Sequence, residues 1–123
     1  MTLYDEIGAE FISKAIREFY SQAVLDPIIG HFFFGVDVEH LISKQIEFTS
    51  RLFGYKDSQA NTTRPLKSVH QALKIRAPHF ARRQVLMSSV LDKLGLDPEL
   101  KRQWLYLEAQ LKPLIVSKAS KSL

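Results

Sequence analysis

Apolar residues recur along this chain at helical spacing, and no stretch shows the sustained period-two alternation that a half-buried strand requires. From Ala9 to Leu25 the apolar positions are Phe11, Ile12, Ala15, Ile16, Phe19 and Val24, which together form one face of a long helix. Asp26 and Pro27 end that block. The same pair can start another, because aspartate caps free amides and proline fits the first helical position, so a short helix is expected over Pro27 to Phe32. Phe32, Phe33 and Phe34 then run into Gly35 and make an aromatic corner. Asp37 can cap a second long helix with the stripe Leu41, Gln45, Phe48 and Leu52, and Gly54 provides a left-handed stop.

Residues 55–64 are polar and aperiodic and read as a connection. A short helix should open at Pro65 and carry Leu66, Val69, His70 and Leu73 on one face. Two more long helices are expected, from Pro78 to Leu94 and from Pro98 to Val116, the second opened by the acidic start signal Asp97-Pro98-Glu99. Pro113 should kink or fray the last one. The pattern predicts one all-α domain over residues 1–116, with 117–123 as a disordered tail.

Three polar side chains interrupt these faces: Tyr20 beside Phe19, Gln45 between Leu41 and Phe48, and His70 between Leu66 and Leu73. Buried polar groups need a hydrogen-bonding partner or a ligand. Each of the three alone reads as an ordinary structural residue. Together with the phenylalanine corner they supply an imidazole that can bind a metal from one side, two donors for a polarised ligand on the other, and aromatic walls for a flat cofactor.

Composition narrows the alternatives. There is no cysteine, which removes disulfides, thiolate metal sites and cysteine nucleophiles. A net charge of +4 is spread along the chain apart from Arg82-Arg83 and a lysine-rich end, so no coherent face for nucleic acid is expected. No apolar run approaches bilayer length and the first residues are acidic where a signal peptide is basic, so a cytoplasmic protein without membrane contact is expected. His31 and His40 are nine residues apart, as are His70 and His79, which is not a zinc-ligand spacing.

The motifs LYDEIG (3–8), EFY (18–20), HFF (31–33), SKQIEF (43–48) and LKSVHQALKI (66–75) give the chain a resemblance to the truncated haemoglobins, extending over about Leu3 to Val116. The resemblance implies a globin-like, two-over-two helical sandwich holding haem b (iron protoporphyrin IX). It implies His70 as the proximal iron ligand, Tyr20 and Gln45 as the distal hydrogen-bonding pair, and Phe33 as a ring packed on the haem. Leu41 and Phe48 become distal wall residues and Phe80 a residue of the proximal or lateral edge. Leu73 and Ile75 join the cofactor-binding set, and Lys67, Lys74 and Arg76 are expected near the propionates. Dioxygen, nitric oxide and carbon monoxide are the implied ligands, and a reductase an implied partner of a monomeric protein. The pairing of Tyr20 with Gln45 is most similar to the group with cyanobacterial and mycobacterial members, some of which convert nitric oxide and dioxygen to nitrate. A gas carrier, sensor or electron-transfer module is the alternative on the same scaffold.

The chain also departs from the family. Paired glycines appear here as Gly8-Ala9 and Gly54-Tyr55, a tunnel-gating phenylalanine as Thr49, and the tryptophan of two other groups as Arg83 or Gln84. Lys44 stands where some relatives place an iron-coordinating histidine or lysine. It can either ligate, after losing a proton, or reach a propionate or solvent. His40, one turn earlier, is expected to be exposed.

Overall fold

A five-residue helix that has no room for a stripe opens the chain, α1 (Leu3–Ile7). Its signal is a capping box: the Thr2 hydroxyl accepts from the Asp5 amide and the Asp5 carboxylate accepts from the Thr2 amide, both at 3.1 Å. The computed structural model describes residues 1–56 and 74–116, and every regular element among them is helical. The expected helix carrying His70, with Lys67 and Leu73, and the expected tail at 117–123 lie outside the described residues.

The two long stripes form α2 (Ala9–Ala23) and α3 (Val38–Leu52), followed by α4 (Ala77–Lys93), α5 (Pro98–Ala109) and a final turn, α6 (Lys112–Ile115). The centre is α2, which packs against α3 and α4, while α5 packs on α4 and α1 touches both α2 and α5. Ile12, Ala15, Ile16 and Ala23 of α2 are completely buried and meet Met87, Val90 and Leu91 of α4 and Trp104 of α5 in one core. Phe53 closes that core, its ring edge-on to Trp104 at 4.9 Å between centroids.

Three expectations need correction. First, the fully buried positions of α3 are Ile42 and Thr49, whereas Leu41, Gln45, Phe48 and Leu52 are only partly buried. The helix therefore has two inward faces: one enters the core, and the other, carrying the polar interruption, lines cavities. Second, Pro27 to Phe32 is not a helix but a turn followed by a 3-10 segment, Gly30–Phe33. The Asp26 carboxylate does cap, accepting from the Ile28 and Ile29 amides at 3.0 and 3.1 Å, but it is also held by Arg82 of α4 at 2.7 Å. That long-range pair fixes the corner before a regular helix can propagate. Arg82 and the two amides hold the Asp26 carboxyl below the usual carboxylate range. Third, the expected helix over Pro98 to Val116 stops at Ala109, earlier than expected, although Pro113 does interrupt it as expected. The ring of Pro113 would collide with the Ala109 carbonyl four residues back, so the chain restarts as α6 with proline in its first turn.

A single glycine makes each of two turns. Gly8 (φ +92°) joins α1 to α2, and Gly54 (φ +111°) ends α3. At Gly54 a methyl group would lie 2.7 Å from the Thr2 Cβ, because the Tyr4 amide donates to the Phe53 carbonyl at 2.8 Å and draws α1 onto this turn. Gly54→Ala is therefore expected to cost about 2 kcal/mol or more, from left-handed backbone strain plus the clash. The urea midpoint of unfolding measures it, and an unchanged midpoint would mean that α1 does not dock there.

Candidate functional site

Two cavities open between α2, α3, α4 and the last turn, and they share the wall formed by Tyr20, Phe80, Arg83 and Ile115. The first, about 120 Å³, is bounded mainly by apolar side chains, among them Phe19, Phe32, Phe33, Leu41 and Ile75, with His79 at its margin. The second, about 60 Å³, is more polar and adds Gln45, Phe48, Thr49 and Glu108.

Of the residues expected at a site, Tyr20, Phe33, Leu41, Ile75 and Phe80 border the first cavity, and Tyr20, Gln45, Phe48 and Phe80 the second. Lys44 is exposed and borders neither. His40 is likewise exposed. Arg83, rather than Gln84, faces both spaces; Gln84 turns to α5 and donates to the Leu105 carbonyl.

Tyr20 occupies the point where the two cavities meet. Its side chain is buried, its ring meets Phe19 and Phe33 edge-on at 5.1 and 5.7 Å, and no partner for its hydroxyl is present among the described residues. Burial pushes its pKa up to about 12; the charge of Arg83 opposes that shift and the charge of Glu108 adds to it. At neutral pH the hydroxyl thus keeps its proton and can donate. Gln45 is tethered by Thr49, whose hydroxyl accepts from the Gln45 side-chain amide at 3.2 Å. Thr49 thus orients the Gln45 side chain.

Sequence reasoning missed a buried ion pair beside Tyr20. Arg83 and Glu108 meet through two parallel hydrogen bonds of 2.7 and 3.0 Å, and Trp104 Nε1 donates to the same carboxylate at 2.9 Å. The Arg83 guanidinium also lies 5.0 Å from the centroid of the Phe19 ring. Burial weighs against the charge on Arg83, but the carboxylate of Glu108 outweighs it and holds the guanidinium above its ordinary pKa. The only readable signal was spacing: Trp104 and Glu108 are four apart and share one helix face.

At the opposite margin, His79 Nδ1 accepts from the Arg76 amide at 3.0 Å, so the ring proton lies on Nε2 and His79 presents a donor. Arg76 Nη1 is buried without a partner among the described residues. Apolar walls, a tyrosine hydroxyl without a partner among the described residues and the Nε2 donor of His79 fit a flat apolar group with polar substituents that takes a small polar ligand.

The comparisons with known proteins agree with this geometry. The family model described as "Bacterial-like globin" matches residues 2–116. The chain belongs to this globin family. Group 1 truncated hemoglobin GlbN of Mycolicibacterium paratuberculosis is 29% identical to this globin, over 94% of this chain and 85% of that protein. Among solved structures, the 2/2 hemoglobin of Synechococcus sp. PCC 7002, in the cyanomet state with covalently attached heme, superposes with a TM-score of 0.86. That match has 20% identity and covers 94% of this chain and 98% of that one, so it speaks for the fold. Chlamydomonas reinhardtii THB1 is 32% identical, with a TM-score of 0.77 over 93% and 95% of the two chains. The fold is therefore the truncated, two-over-two globin sandwich. Membership in the family implies a haem group and the binding of a small gas ligand. Among the described residues no helix is long and apolar enough to cross a membrane.

Proposed function

We propose that this globin holds haem b through His70 and binds dioxygen on the side of Tyr20 and Gln45, and that its reaction is the dioxygenation of nitric oxide to nitrate. The observation that carries the reading is Tyr20: a buried side chain whose protonated hydroxyl has no partner among the described residues, in one cavity wall with a tethered glutamine. Haem supplies the iron that binds the gas and changes oxidation state. Everything else is the work of side chains.

Tyr20 donates a hydrogen bond to the partly negative oxygen of the ligand, and Gln45, oriented by Thr49, supplies a second polar contact. Phe33, Leu41, Phe48 and Phe80 exclude water around them, which strengthens both contacts. Arg76, Lys74 and the Nε2 proton of His79 would meet the propionates, a role the family resemblance also gives to Lys67. Because His79 Nδ1 already accepts a backbone hydrogen bond and Nε2 carries the proton, His79 is suited to donating rather than to ligating. Nitric oxide, dioxygen and one electron make nitrate, so turnover needs a reductase to return the electron.

The test is consumption of nitric oxide by the dioxygen-loaded protein. Stoichiometric nitrate formed much faster than with free haem supports dioxygenation. Nitrate formed no faster, with slow dioxygen release, would leave a gas carrier or sensor.

The exposed position of Lys44 supports a solvent or propionate role over iron ligation. Lys44→Ala is expected to leave the ferric and ferrous absorption spectra unchanged. A shift to a five-coordinate or water-ligated spectrum would show that Lys44 reaches the iron.

A further inference from the structure

We propose that Arg83 makes the cavity behind Tyr20 a binding site for a small monovalent anion, of the class of nitrate and azide, with Glu108 setting its affinity. The proposal rests on the haem reading above, whose product is such an anion.

The argument starts from what the ion pair does not explain. A buried pair of charges is often matched or exceeded in stability by apolar residues of the same volume, so packing alone gives no reason for charge at this place. Its position gives one. Arg83 borders both cavities together with Tyr20, and Glu108 borders the second.

The hydrogen-bond count is unequal. The Glu108 carboxylate accepts from Arg83 Nη1, Arg83 Nη2 and Trp104 Nε1, three of the roughly four hydrogen bonds that it can take. Arg83 has more left over. A guanidinium has five N–H donors. Nη1 uses both of its hydrogens, on Glu108 and on the Gln84 side-chain oxygen, and Nη2 uses one on Glu108. The Nε hydrogen and the second Nη2 hydrogen meet no acceptor among the described residues. Tyr20 adds an unpartnered hydroxyl donor to the same wall.

The guanidinium cannot swing away to satisfy itself. It is pinned in its plane by the two-pronged contact with Glu108, with Trp104 fixing the carboxylate from the other side and the Phe19 ring 5.0 Å away. What reaches the cavity is a rigid, charged surface rich in donors. A neutral diatomic gas gains little from the net charge, whereas an anion gains from charge and donors together.

The experiment uses the ferric holoprotein titrated with azide, with carbon monoxide binding to the ferrous form as the neutral control. The variants are Glu108→Gln and the double variant Arg83→Met/Glu108→Gln, which differ only in the Arg83 side chain. Glu108→Gln is expected to bind azide several-fold more tightly than the parent, because the arginine charge is then uncompensated. The double variant is expected to bind azide about tenfold more weakly than Glu108→Gln, with carbon monoxide affinity within about twofold in all three. If Glu108→Gln does not fold, the parent is compared with the double variant, and the parent is expected to bind azide more tightly. Azide affinity indifferent to Arg83, or azide and carbon monoxide affinities falling together as a collapsed pocket would make them, overturns the proposal alone. A parent protein without a Soret band overturns the haem reading and this proposal with it.

Discussion

Tyr20→Phe is expected to lower dioxygen affinity by about 10- to 100-fold, nearly all of it as faster release, while carbon monoxide affinity changes little. A hydrogen bond to a charged or strongly polarised acceptor contributes about 1.5–3 kcal/mol, and that is the range of the loss. Carbon monoxide draws little negative charge and gains little from the donor, so it reports whether the pocket has kept its shape. The same substitution has a second expected result, in the protein without haem. The Tyr20 side chain is buried and its hydroxyl has no partner among the described residues, so its removal breaks no hydrogen bond among them. The haem-free variant should be as stable as the parent or more so. Loss of ligand affinity without loss of stability marks a residue kept for binding, and a variant that lost both would mark Tyr20 as a packing residue.

The largest expected effect on stability lies on the far side of the ion pair. Trp104→Ala should destabilise the fold by about 3–5 kcal/mol, the range for truncating a buried large aromatic residue. For a chain of this length that corresponds to a drop in Tm on the order of 10–20 °C. Trp104 is completely buried in the core, packs against Phe53, and is the third donor to Glu108. Trp104→Phe keeps most of the packing and loses the hydrogen bond, so it should fall between the two. Thermal unfolding followed by circular dichroism separates these terms. Equal Tm values for Trp104→Phe and the parent would mean that the hydrogen bond to Glu108 adds nothing measurable.

Local signals in the sequence located the long helices to within about two residues at most ends, because glycine, proline and capping residues act on their immediate neighbours. Asp37 and Asp97 cap α3 and α5 as their positions suggest. Tyr20 and Gln45 could be singled out for a similar reason, since a polar residue in an apolar stripe is visible without knowing what it faces. The errors arose where distant residues decide. Arg82, 56 positions along the chain, fixes Asp26 and with it the corner after α2. The two inward faces of α3 cannot be told apart from periodicity, because Leu41 and Ile42 are equally apolar. The pairing of Arg83 with Glu108 was illegible for the same reason: each is a common surface residue, and only the packing of α4 on α5 brings them together. The helix α1 escaped notice because five residues are too few to show a period, although its capping box was there to be read.

The central claim is that an imidazole at position 70 holds haem iron in a cavity whose far wall carries Tyr20 and Gln45. Its most direct test is the absorption spectrum of the haem-reconstituted protein, parent against His70→Ala, in the ferric, ferrous and carbonyl forms. The account predicts a sharp Soret band in the parent that shifts on reduction and on addition of carbon monoxide, and in the variant a weak, broad band with haem lost to apomyoglobin. Identical spectra and equal haem retention in the two proteins would contradict it.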